Sequence, residues 1–231
     1  MAPVFMFRAL LLQSWYSLSD PKLERLLVRD LLFRRFVGLS LTDSVPDQSS
    51  IRRLRRLLER QGLMASLLAE INRQLSIQGL YIRAGEISII DASVIQAQRN
   101  RPNKDVNNTQ DPEASWNVKQ GSDGKRKSTY DFKAHANVGK DGFIKATAFT
   151  AGHVHDSNHF TDFLSGKESE VYANSAYKSK KHDDWLEVHY VNNNVVDRAH
   201  RNTPLTHEQK KKNQLNSGTR CTVERVFGVL K

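Results

Sequence analysis

One cysteine, Cys221, stands in a chain of 231 residues. A lone cysteine excludes an internal disulfide and any zinc site built on paired thiolates, and it suits a reducing cytoplasm. Long apolar runs are also missing: none reaches the roughly eighteen residues that a membrane-spanning helix needs. The opening stretch from Pro3 to Leu12 is apolar but broken by Arg8. It has no basic segment before it and no small-residue cleavage site after it, so it reads as a core helix and not as a signal peptide. Acidic residues are the scarcer charge, 25 against 35 basic, which leaves a net charge of +10. That excess points to a polyanionic partner, because each Lys or Arg set on a phosphate releases condensed counterions. An anionic membrane surface is the rival partner. Hydrophobic residues make up 39% of the chain, enough to build a core and too many for a disordered composition.

Residues up to about Gly79 carry helical periodicity. Ser19-Asp20-Pro21 is a helix start, with a cap residue ahead of proline in the first turn. The helix that follows is expected from Lys22 to about Val37, with Leu23, Leu26, Leu27 and Leu31 on one face. Ser49 or Ser50 is the expected cap of the next, whose apolar stripe is Ile51, Leu54, Leu57 and Leu58. Its other faces hold Arg52, Arg53, Arg55, Arg56 and Arg60. A fourth helix runs from Met64 to Leu75. The period then changes. Glu86 to Ala92 is apolar and β-branched, as in a buried strand. Residues 98–128 are polar and read as an insertion loop. Tyr130–Val138 and Phe143–Thr150 form a hairpin about the Gly139-Lys140-Asp141-Gly142 turn. A short helix at 159–164, a strand at 170–173, a helix at 179–186, a strand at 188–191 and a last helix from Thr206 complete the order. That last helix carries a break signal at Asn216-Ser217-Gly218. This succession predicts an α/β core with a mixed sheet, spanning 80–231, behind a small helical domain at 1–79.

Asp91 ends the first strand, where open α/β sheets place their sites, and a carboxylate there can hold Mg²⁺. Its plain alternative is a residue capping a turn. The final helix bears Arg220, Glu224 and Lys231 at offsets of four and seven, hence on one face. A glutamate between cations stays ionised, as a metal ligand must. Arg and Lys there can also grip a phosphodiester. The alternative is a solvated salt-bridge face.

IIDASVI at 89–95, TYDFKAHANV at 129–138, AGHVHDSN at 151–158, VYANSAYKSKKHDDWL at 171–186 and RCTVERVFGVLK at 220–231 carry a resemblance. In order and spacing they are similar to the motifs of the insertion-sequence-five group of DDE transposases. LLQSWYSLSDPKLE at 11–24 and LTDSVPDQSSIRRLRRLLE at 41–59 resemble that group's N-terminal domain. The resemblance implies an RNase H-like sheet flanked by helices. It also implies three acidic residues that hold two divalent metals, Mg²⁺ or Mn²⁺, for in-line cleavage and joining of transposon-end DNA. Carried over by position, the first acid is Asp91 and the third is Glu224. The second position is Asn174, which is neutral and has one oxygen to offer. Losing that carboxylate should weaken metal binding and slow the chemistry by orders of magnitude. Ser217 stands where the group's signature has Tyr, and the match suggests truncation at both ends.

The same resemblance implies double-stranded DNA at terminal inverted repeats as the partner, a homodimer, and a cytoplasmic, nucleoid-associated location. Arg52, Arg53 and Arg56 are the DNA-facing residues expected in the helical domain, and Lys133, His135, Arg220 and Lys231 those in the core. For the arginine cluster the alternative is an ordinary solvated face. For Lys133 and His135, which alternate on one strand, it is an exposed strand face. His153, His155 and Asp156 have the makings of a zinc site but lack a partner cluster. Trp15 and Trp185 read as core anchors, and Trp116 as a surface on which an unpaired base can stack. Two other functions stay open: a non-catalytic DNA-binding remnant and a general metal-dependent nuclease.

Overall fold

The structure, a computed structural model, describes residues 3–79, 87–97, 111–120, 125–199 and 203–230. Packing divides it into two units, Met1–Leu67 and Leu68–Lys231.

The first unit is helical: α1 (Pro3–Trp15), α2 (Asp20–Arg29), α3 (Leu31–Val37) and α4 (Gln48–Arg60). Leu23 and Leu27, one turn apart on α2, are fully buried with Met6, Ala9 and Leu12 of α1, Val37 of α3 and Ile51 of α4. The single helix expected from Lys22 to Val37 is two. Asp30 leaves helical geometry (φ −99°, ψ 113°), and its carboxylate accepts the amide hydrogens of Leu32 and Phe33, restarting the chain as α3. Leu31 therefore falls at a helix start and is 64% exposed instead of lying on the buried face. Gly38 closes α3 at φ 94°, a left-handed geometry that glycine accepts without strain. Asp47, not Ser49 or Ser50, caps α4 by accepting from the Ser50 amide at 2.6 Å. Trp15 is exposed and meets Phe36 edge-on, so it is no core anchor.

Helix α5 (Leu63–Ile77) carries the division between Leu67 and Leu68, ahead of the boundary expected near residue 80. Its later part belongs with the sheet, and Asn72 donates to the Ile144 carbonyl at 3.1 Å. The sheet strands are β1 (Ile87–Gln96), β2 (Ser115–Gln120), β3 (Arg126–Val138), β4 (Ile144–Ala151), β5 (Glu170–Ala173) and β6 (Asn192–Asn193). β3 runs antiparallel to β1 and to β4, whereas β5 runs parallel to β1 and β6 parallel to β5. Three antiparallel strands followed by two parallel ones make the mixed sheet that was expected. β2 and β4 lie end to end along one edge of β3, meeting at Asp131.

Helices cover the sheet. On one face Ile89, Ala136 and Val138 pack against Val223 and Phe227 of α7 (His207–Leu230). On the other, Ile90, Val171 and Ala173 pack with Phe160, Tyr177 and Leu186, the last from α6 (Lys180–Val188). α7 runs unbroken through Asn216-Ser217-Gly218, and Thr206 caps it reciprocally with Gln209. Lys212, Asn213 and Asn216 tie its first turns to the Asn193, Asp197 and Asn194 carbonyls.

Three expectations change. The stretch 98–128 is not wholly loop, because β2 and the start of β3 pair within it; its residues 98–110 and 121–124 lie outside the described set. The strand expected at 188–191 is instead the end of α6, a turn, and then β6. The helix expected at 159–164 is a pair of 3₁₀ turns, Asp156–His159 and Thr161–Phe163.

Candidate active site

Register brings the first two site residues together. Parallel pairing sets Ile89 against Tyr172 and Ile90 against Ala173, so the next step faces Asp91 toward Asn174. Side chains alternate along a strand, and Asp91, two residues from Ile89, shares the α7 face. There the Asn174 amide nitrogen donates to Asp91 Oδ1 at 2.9 Å. The Asn174 oxygen is already committed, accepting from the Ala176 backbone amide at 2.8 Å as the cap of the 3₁₀ turn Ser175–Tyr177.

The third comes from α7. Arg220 Nη2 lies 3.6 Å from Asp91 Oδ2 and 3.6 Å from Glu224 Oε1, so the two carboxylate oxygens are no farther apart than twice that distance. Glu224, four residues after Arg220 on the helix, keeps a side chain 58% exposed. Asp91 is 8% exposed. Burial pushes its carboxyl above the ordinary aspartate range, against the Ala92 amide, Arg220 and Asn174, which all favour the ionised form. The Arg220 Nε is buried without a hydrogen-bond partner.

Tyr177, three residues past Asn174, belongs to the core on the other face of the sheet, with Phe160 and Leu186. It is fully buried, and its hydroxyl has no hydrogen-bond partner. Burial, with Asp91 and Asp156 within electrostatic reach, raises its phenol far above the ordinary value.

Lys133 and His135 are buried at 8% and 1% exposure, on neither a DNA-facing nor a bland exposed face. They point away from the α7 face that holds Asp91. Lys133 donates to the Val154 carbonyl at 2.7 Å and pairs with Asp156 at 2.8 Å. His135 shares a hydrogen bond with Thr150 at 2.8 Å, and burial lowers its pKa. Arg52, Arg53 and Arg56 are exposed on α4, with Arg52 and Arg55 leaning toward Asp20 at 4.0 and 2.7 Å. Lys231 lies outside the described residues. His153 and His155 bond to Ser115 and Ser157. Among the described residues no three His, Cys, Asp or Glu side chains gather closely enough to hold a metal ion. Trp185 stacks on His189 at 4.0 Å, and Trp116, 44% exposed, tilts against Tyr130 at 5.5 Å. No described helix is long and apolar enough to cross a membrane.

The architecture is thus a mixed α/β sheet with an acidic site where the parallel pairing of β1 and β5 stops; Asp91 does not end its strand as expected, because β1 continues to Gln96 on its pairing with β3. The model of the transposase DDE domain matches residues 83–231, more than half of the chain, and the chain belongs to that family. A second model, described as a transposase domain (DUF772), matches residues 1–57. DNA binding and divalent-metal-dependent DNA cleavage are that family's business. Two solved structures align over 100% of this chain at 11% and 10% identity, each with a TM-score of 0.28. They are the Mos1 strand transfer complex, 78% covered, and a pre-cleavage Mos1 transpososome, 96% covered.

Proposed function

We propose that this chain is a transposase of the insertion-sequence-five group that recognises the inverted repeats of its element as double-stranded DNA. In this reading Asn174 impairs its cutting and joining. One observation carries the proposal. Residues 83 apart in sequence, Asp91 and Asn174, meet at 2.9 Å where β5 ends beside the middle of β1, and α7 brings Glu224 to the same arginine. This is the convergence that a three-carboxylate site requires, with one member changed.

The residues present do not fit a pair of divalent cations. Two such ions need anionic oxygens to hold them near each other. Here two carboxylates face one guanidinium, and the third position turns an N–H, not an oxygen, toward Asp91. The chain's own residues supply a positively charged surface for DNA and a site poised without its second acid. A homodimer on paired DNA ends and a place in the bacterial nucleoid belong to the same proposal; Mg²⁺ or Mn²⁺ is the ion expected of a complete site of the group, with an acid at position 174.

The test is cleavage of labelled terminal-repeat duplex by the full chain with Mg²⁺ or Mn²⁺, before and after Asn174→Asp. The substitution is expected to raise the rate by at least about a hundredfold. Equal rates would overturn the role given to position 174. Salt-dependent binding of the repeats without cutting by the unsubstituted chain favours a DNA-occupying, non-catalytic form. Cutting of random duplex without joining favours a nuclease.

A further inference from the structure

We propose that in this chain the Asn174 amide and the Arg220 guanidinium take over the electrostatic work that cations do in a complete site, so that the acidic pocket is stable and indifferent to metal. The inference rests on the functional reading above and specifies the state of its site.

An amide at 174 has one acceptor and two hydrogens. The acceptor is spent on the Ala176 backbone at the start of the turn, so the amide cannot flip without losing that bond. Its nitrogen then faces Asp91 by geometry and donates to Oδ1, which also accepts from the Ala92 amide. The other Asp91 oxygen faces Arg220, which faces Glu224 equally. Each oxygen of Asp91 thus has a protein donor or cation beside it. A carboxylate at 174 would keep the bond to Ala176 and set its second oxygen against Asp91 Oδ1. Two carboxylate oxygens at hydrogen-bond distance repel unless a cation or a shared proton lies between them. The aspartate form therefore needs a cation or a shared proton to be stable, and the asparagine form needs neither. The exchange at one position gives up metal affinity and gains stability without metal.

Metal indifference can be read without catalysis. The full chain, unsubstituted and as Asn174→Asp, is melted by scanning calorimetry in EDTA and in millimolar Mn²⁺, and Mn²⁺ alone is titrated into each. The unsubstituted protein is expected to melt at one temperature in both buffers and to take up no Mn²⁺ saturably. Asn174→Asp is expected to melt lower in EDTA, by on the order of 5 °C, and to recover with Mn²⁺. Saturable Mn²⁺ stabilisation of the unsubstituted chain equal to that of the variant would overturn the proposal. So would an Asn174→Asp transition unmoved in EDTA. If that variant folds in neither buffer, Arg220→Gln provides the decision, since it leaves both carboxylates without their cation. It is expected to melt lower in EDTA and to gain a Mn²⁺ response, and the absence of such a response overturns the proposal. Binding of terminal-repeat duplex in EDTA is measured alongside. Its loss, with metal indifference intact, would defeat the transposase reading alone.

Discussion

The two faces of the central sheet use charge in opposite ways. Under α7, an apolar layer of Ile89, Ala136, Val138, Val223 and Phe227 ends at Asp91, Asn174, Arg220 and Glu224, with Glu224 open to solvent. On the reverse face, Lys133, His135 and Asn137 alternate along β3 with their side chains buried. Their partners there are Asp156, Thr150 and the Phe163 carbonyl. The first face holds ionisable groups at the rim of a hydrophobic layer, where a ligand can reach them. The second uses them up inside the fold. A basic residue's alternation in a strand therefore says little about what it faces.

The largest effect is expected from removing Lys133. Lys133→Met leaves Asp156 largely desolvated without its cation. Breaking a buried pair on one side costs about 3 kcal/mol or more. Equilibrium urea unfolding should show that loss, and adding Asp156→Leu should recover a large part of it. A Lys133→Met protein of unchanged stability but weakened DNA binding would return Lys133 to the DNA surface. On the α7 face, Val223→Ala removes buried methyl groups from an otherwise apolar layer and should cost about 2 kcal/mol. Hydrogen exchange should then rise in β1 and β3, which α7 covers. Equal losses that a second change repairs only on the β3 side would sharpen the contrast.

How far the sequence could be read follows the same division. That Asp91, Asn174 and Glu224 converge was legible because each sits in an ordered motif; strand register sets Asp91 beside Asn174, and the packing of α7 on the sheet brings Glu224 to Arg220. Lys133 and His135 were misassigned because a period of two separates the faces of a strand without saying which face is covered. The covering elements, the 3₁₀ turns at 156–163, carry little periodicity of their own. Asp30 was hidden inside a helical pattern: its capping is a competition between side chain and backbone that periodicity does not register. β2 was hidden by polarity, since Trp116-Asn117-Val118 gains its strand from pairing with β3 and not from a hydrophobic pattern. Arg220 was read as a grip on DNA, and its bridge between the two carboxylates could be found only once helix and strand were set side by side.

A smaller effect is expected from the loop that precedes β5. Glu168 accepts from the Ser165 amide and hydroxyl and from the Gly166 amide. Burial pushes its carboxyl upward, but those hydrogen bonds outweigh it and hold the group below the ordinary glutamate value of 4.5. A depressed folded value means that the unfolded chain takes up the proton first. Its contribution is thus complete above about pH 4.5 and is lost as pH falls through the folded value. Glu168→Gln should be less stable by about 1 kcal/mol at neutral pH. The gap should shrink in acid, as followed by near-ultraviolet circular dichroism. A gap independent of pH would show that packing, not ionisation, sets the role of Glu168.

The smallest expected change in stability belongs to Arg56, and it separates the arginines of α4 from Lys133 most clearly. Arg56 is exposed on the helix, away from the buried Ile51 that anchors α4 in its unit. Arg52 and Arg55 lean on Asp20 and already share in holding the helix. An exposed arginine that grips a phosphate contributes through counterion release, which is a function of salt and not of folding. Arg56→Ala should therefore leave the unfolding free energy within about 0.5 kcal/mol. It should lower the slope of log affinity against log salt for duplex DNA by about one. An unchanged slope would make Arg56 an ordinary solvated side chain. Taken with a large stability loss in Lys133→Met, a reduced slope here would locate the working positive charge on α4 and leave the basic residues of β3 to the fold.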